Sequence, residues 1–196
     1  MNNQDNNKNT RPTVKQIEKE ISRLKAKRET RKAIFGTLRT LILIAAASVL
    51  VANLLLSVLV VNRSSMNPTL SEGEVVIAVR LIKINKGDVI AFHYNNKILI
   101  KRVIAKAGDW VNIENDGTVY INNEKIDEPY VKEKSLGECD ITMPYQVPDG
   151  TVFVMGDNRQ NSADSRLFEI GPVNTDLIVG KVLIRIWSLK EFGLIK

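Results

Sequence analysis

A chain of 196 residues with a formal charge of +6, one cysteine and one histidine has room for one main domain. The lone Cys139 permits no intrachain disulfide or thiolate zinc cage, and His93 alone builds no histidine-rich site, so neither metal nor cofactor is expected. Residues 1–40 carry 11 Lys or Arg against 4 Asp or Glu and residues 41–196 carry 17 against 18, which leaves no basic domain face for nucleic acid.

Residues 1–12 are Asn-rich and hold too little apolar surface to order themselves. From Thr13 the pattern changes. Val14, Ile17, Ile21 and Leu24 recur at spacings of three and four among Lys, Arg and Glu, and Thr13 with Gln16 fits a capping box. This predicts a basic amphipathic helix within a tail over 1–33, lying on an anionic leaflet, pairing with a partner helix or serving as a solvated spacer. Next comes a 21-residue uncharged apolar run, Leu41 to Val61. As a helix it spans about 31 Å, the thickness of a bilayer core. It is longer than a removable signal sequence and has no small-residue site at its end, so a retained transmembrane helix over 34–61 is expected. Arg23, Lys25, Lys27, Arg28, Arg31, Lys32 and Arg39 precede the run, which predicts a cytoplasmic N-terminus and an extracytoplasmic domain over 62–196.

Beyond the span the pattern is that of strands. Val75–Arg80, Asp88–Tyr94, Ile98–Ala107, Thr151–Met155 and Leu177–Trp187 are rich in apolar and β-branched residues, and Asn115-Asp116-Gly117 marks a hairpin. Pro129, Pro144 and Pro148 punctuate a small insertion over about 110–150. The expected fold is mainly β, an antiparallel barrel or sandwich behind the N-terminal helices.

Two common serine-hydrolase signals are missing. There is no Gly-x-Ser-x-Gly elbow, and His93 sits between Phe92 and Tyr94 in a strand. A lysine can replace the imidazole only when neutral, and a free lysine is about 0.04% neutral at pH 7. Burial favours the neutral form, so the base should lie among apolar groups away from carboxylates. Lys101, flanked by Ile98, Leu99, Ile100, Val103 and Ile104, meets that condition, although an edge-strand lysine pointing to water fits the local pattern too.

Ser65-Met-Asn-Pro-Thr-Leu70, Gly87-Asp-Val-Ile90, Lys101-Arg-Val followed by Gly108-Asp109, and Gly156-Asp-Asn-Arg-Gln-Asn-Ser-Ala-Asp-Ser-Arg166 stand in that order after the span. This ordered set resembles the type I signal peptidases, and its compact form is more like Gram-positive members. The resemblance implies a membrane-bound serine endopeptidase that removes signal peptides after small-x-small (Ala-x-Ala) sites. Its substrates would be secretory preproteins, its setting the lipid bilayer, and the secretion translocon a further partner. Carried over by position, Ser65 is the nucleophile in preference to Ser64, and Lys101 is the general base. Ser162 orients the lysine amine. Asp164 pairs with Arg166 to hold the loop, and Asp157 and Arg159 support it. Met66, Pro68, Leu99 and Ile100 are expected to bind substrate. Arg63 stands where some members carry a serine, which leaves the second oxyanion donor open. Two other readings remain at this point: a LexA-like Ser–Lys protease on a related β fold, and a membrane-anchored β scaffold without catalysis.

Overall fold

The computed structural model describes residues 12–195. A helical unit ends at Val51 and a β unit starts at Ala52. Helix α1 runs unbroken over Val14–Leu55, and Gln16 Oε1 accepts the Thr13 N–H at 2.9 Å at its start. The expected amphipathic and apolar helices are therefore one helix, and none of its residues is buried.

The apolar run does not stay helical to Val61. Leu56–Val60 forms strand β1 and pairs antiparallel with β2, Val75–Val79, from Leu56 opposite Val79 to Val60 opposite Val75. The expected helix over 34–61 thus stops six residues early. The reason is a partner that local sequence does not show: an apolar, β-branched strand with a register to fill. At the switch the Arg80 N–H donates to Leu55 O at 2.9 Å, and the guanidinium reaches Ser57 Oγ at 3.1 Å. The cation stands where the helix presents its unsatisfied carbonyls.

The β unit holds two antiparallel sheets. Strands β3 (Val89–Tyr94) and β4 (Lys97–Lys106) form a hairpin in the larger one. The smaller sheet is built from β5 (Trp110–Ile113), β6 (Val119–Ile121), β7 (Glu124–Lys125) and β8 (Tyr145–Gln146), in the order β7-β6-β5-β8. It is the region read as an insertion. Strands β9 (Thr151–Met155), β10 (Val173–Asn174), β11 (Ile178–Trp187) and β12 (Gly193–Leu194) complete the larger sheet, ordered β1-β2-β11-β3-β4-β9-β10 with β12 on β11.

Alternation along the strands divides the core. Val76, Ala78, Val89, Ala91 and Val182 pack with Met66 and Leu70 on one side, and Ile90, Phe92, Val103, Val152 and Val154 form a second cluster. A third cluster joins the sheets, with Val111, Ile113, Val119 and Ile121 against Ile104, Ala105 and Phe153. Strand β4 carries the site. Among the described residues its first half pairs only with β3, and β9 joins its other edge from Arg102 onward.

Candidate active site

The short 3-10 segment Ser64–Met66 follows β1 after a three-residue turn. Met66 and Leu70 are plugged into the core, which fixes the loop from below and turns Ser65 toward β4. The Ser65 carbonyl accepts the Asn158 N–H at 3.0 Å, and Asn158 Nδ2 donates to Ser64 O at 3.2 Å. The loop from Gly156 is thereby stapled onto the serine turn. Gly156 must be glycine, because a Cβ there would lie 2.2 Å from Ser162 Oγ and 2.5 Å from Ser65 O.

Lys101 Nζ donates to Ser65 Oγ at 2.6 Å. The lysine is 3% exposed, and its pKa is lowered from 10.5 to about 8. Burial is the largest cause. Asp164 opposes it, Arg166 and Arg63 add to it, and Asp157 opposes it weakly. The other reading of Lys101, a side chain pointing to water, does not fit this burial. Ser64 is exposed, and His93 is exposed and outside the groove that borders Ser65.

Ser162 Oγ is buried and has no hydrogen-bond partner among the described residues, so the expected bond to Lys101 is not made here. Asp164 and Arg166 do pair, through Nε–Oδ1 at 2.8 Å and Nη2–Oδ2 at 2.9 Å. Asp164 also takes the Gly156 N–H at 2.9 Å, and Arg166 reaches Leu136 O at 2.6 Å. Asp157 holds Arg102 by two bonds, Nε–Oδ1 at 2.8 Å and Nη2–Oδ2 at 2.7 Å, and accepts the Thr69 hydroxyl. Arg159 is paired with Glu128.

Arg102 and Thr69 stand in the sequence motifs without a role of their own, and Glu128 and Tyr130 lie outside those motifs. Arg102 carried a usable signal, since a guanidinium inside an apolar strand cannot discharge and needs a carboxylate elsewhere. Its partner lies 55 positions away. Nothing local marks Glu128.

A groove of about 780 Å³ runs past Ser65 and Lys101, and Val60, Met66, Leu99 and Ile100 are among the residues that line it. Of the four expected substrate contacts, Met66, Leu99 and Ile100 line it. Pro68 does not: it is exposed, and the buried Met66 and Leu70 on either side direct that part of the loop elsewhere. Leu99 packs with the Ile90 cluster and Ile100 with the Met66 cluster, so only part of each side chain meets the groove. Among the described residues the edge of β4 away from β3 is unpaired over Lys97–Lys101, and both this segment and Val60 of edge strand β1 line the groove.

The family model for signal peptidase, peptidase S26, matches residues 34–187. The chain is 41% identical over 150 residues to signal peptidase I of Bacillus caldolyticus, covering 68% of this chain and 81% of that one. It is likewise 41% identical over 154 residues to signal peptidase IB of Staphylococcus aureus, covering 67% and 78%. A crystal structure of a signal peptidase I from Enterococcus faecalis aligns with a TM-score of 0.44 at 32% identity, over 51% of this chain and 97% of that one. By the family model and the two sequence relatives the chain belongs to the signal peptidase family, peptidase S26, as a serine protease of the signal peptidase I class.

Proposed function

We propose that this protein is a membrane-anchored endopeptidase that cuts signal peptides from secretory preproteins after small-x-small sites, with Ser65 as nucleophile and Lys101 as general base. The observation that carries the reading is the 2.6 Å contact between Ser65 Oγ and a buried lysine whose pKa is about 8, beside a groove with a free strand edge.

The chemistry follows from the protonation state. A neutral Lys101 accepts the Ser65 proton as Oγ attacks the scissile carbonyl. The Ser65 N–H supplies an oxyanion donor, and Arg63 stands where a second hydroxyl donor would be. The resulting ammonium returns its proton to the leaving amine, and the regenerated amine then deprotonates the water that hydrolyses the acyl-enzyme. Ser162, a buried hydroxyl without a partner among the described residues, is suited to hold the amine while Ser65 is acylated. An extended substrate adds to the free edge over Lys97–Lys101, and its side chains alternate between groove and solvent. A groove lined by Met66, Leu99 and Ile100 suits small apolar residues ahead of the cut.

Helix α1 supplies the anchor. Ile34–Leu55 contains one charged residue, Arg39, and is about 33 Å long, enough to cross a bilayer. The basic residues before it keep the N-terminus cytoplasmic and put the β unit outside. Ser65 follows the helix by ten residues, so enzyme and preprotein share one membrane and meet at high effective concentration.

The decisive experiment is cleavage of a preprotein bearing an Ala-x-Ala site by the full chain, beside Ser65→Ala and Lys101→Ala. Each variant should lose at least about 10³-fold, the scale for removing one member of a catalytic unit. Wild-type activity should rise with pH through about 8, as Lys101 deprotonates. Equal activity in all three folded proteins would refute the dyad.

A further inference from the structure

We propose that Glu128 and Tyr130 are positioning residues for the Ser65–Lys101 site, joining the strand that bears the base to the loop that bears Ser162. The proposal rests on the dyad reading given above. It draws on a segment of the small sheet's connection, Glu128-Pro129-Tyr130, which contributes nothing to the groove itself.

Two arginines flank the site, and this segment touches both. Glu128 accepts from Arg159, with Nη1 at 3.1 Å from Oε2 and Nη2 paired with Oε1. Both side chains are buried. Arg159 Nε in turn reaches Gly156 O at 3.3 Å, at the root of the loop whose Asn158 holds the Ser65 carbonyl. On the other side, the Arg102 guanidinium carbon lies 3.9 Å from the centroid of the Tyr130 ring. Arg102 is next to Lys101 and also grips Gly87 O at 2.7 Å and Asp157. Tyr130 OH donates to Glu128 Oε1 at 3.2 Å, so the segment is one unit. Pro129 between them has a fixed φ, which keeps the two side chains aimed at their targets.

A guanidinium cannot shed its charge, so Arg159 depends on Glu128 to remain buried. The far end of the loop has its own tether in Asp164–Arg166. Glu128 therefore governs the near end, where Gly156, Asn158 and the Ser65 carbonyl meet. A displacement there of about 1 Å costs about 10²-fold in rate without weakening substrate binding.

The test uses the full chain in detergent, with Glu128→Gln, Glu128→Asp, Tyr130→Leu and Tyr130→Phe beside wild type and Ser65→Ala. Glu128→Gln should lose about 10²-fold in kcat with KM little changed, as expected for lost positioning. Glu128→Asp, which keeps the charge, should recover part of that loss. The acid limb of the Glu128→Gln profile should also move to lower pH. Arg166 and Arg63 set the positive field around Lys101, against Asp164 and Asp157, and an uncompensated Arg159 adds to it. A merely structural role would leave the limb in place. Tyr130→Leu should lose kcat, and Tyr130→Phe, which keeps the ring on Arg102, should restore most of it.

A folded Glu128→Gln with wild-type kcat and an unmoved limb overturns the proposal, as does an increase in KM alone. If Glu128→Gln fails to fold, the Tyr130 pair decides: full activity in Tyr130→Leu refutes the brace. Failure of the underlying dyad is separate, because it appears as activity retained in Ser65→Ala.

Discussion

Lys101 and Arg102 are neighbours on β4, 3% and 1% exposed, and the two faces of the strand treat their cations in opposite ways. Arg102 has a bidentate carboxylate, a carbonyl, a hydroxyl and an aromatic face around it. Lys101 meets the neutral hydroxyl of Ser65 and, among the described residues, no carboxylate at ion-pair distance. Burial with compensation makes a rigid joint, whereas burial without it suits the general base proposed above. Arginine suits the first role because it stays charged, and lysine suits the second because it does not have to. The rest of the site follows the same pattern: Arg159 and Arg166 are buried, each with its own carboxylate.

The comparison breaks first at Arg102. Asp157→Asn removes the carboxylate that holds the guanidinium by two bonds. A buried pair broken from one side loses about 3–5 kcal/mol, so denaturant unfolding should show a loss on that scale. Stability equal to wild type would mean that Arg102 does not depend on Asp157, and the two faces of β4 would not differ as argued.

Lys101→Met should do the reverse on the other face. The folded pKa of Lys101 is about 8, below its ordinary 10.5. Below pH 8 the native state buries a cation that the unfolded chain keeps in water. Between about pH 8 and 10.5 that penalty is lifted, because the native lysine is neutral while the unfolded one still binds a proton. Methionine removes the penalty altogether. The variant should be more stable than wild type by on the order of 2–3 kcal/mol at pH 6–7, with the gain shrinking toward pH 10. A loss of stability at pH 6 would contradict the picture of an uncompensated lysine.

How much of this was legible in the sequence depends on how far apart the partners lie. The Lys-Arg pair in an apolar strand, the serine before Met-x-Pro and the polar loop over 156–166 are local patterns, and the structure brings all three together. Asp164 and Arg166 are two positions apart, and their pairing could be anticipated. The ion pairs Arg102–Asp157 and Glu128–Arg159 bridge 55 and 31 positions, and no local pattern reports them. The early end of α1 is missed for the same reason. Leu56–Val60 has the composition of the span before it, and only β2 distinguishes the two. Pro68 lies outside the groove because nearness in sequence to Ser65 is not nearness to the groove when buried residues on both sides turn the loop away.

The smallest effect tests whether the surface contributes to the state of Lys101 at all. Arg63 is exposed beside the serine turn and lowers the pKa of Lys101, behind burial, Asp164 and Arg166 in order of effect. In Arg63→Ser the protonated lysine is opposed by one positive charge fewer. Its pKa should rise, and the acid limb of activity should move slightly to higher pH. Because Arg63 faces solvent, the difference should fade as ionic strength rises and the Debye length falls from about 10 Å at 0.1 M to about 3 Å at 1 M. A limb that moves equally at low and high salt would point to a structural change in the serine turn instead. A limb that does not move at all would leave burial as the working cause, and the contrast between the two faces of β4 would then hold without help from the surface.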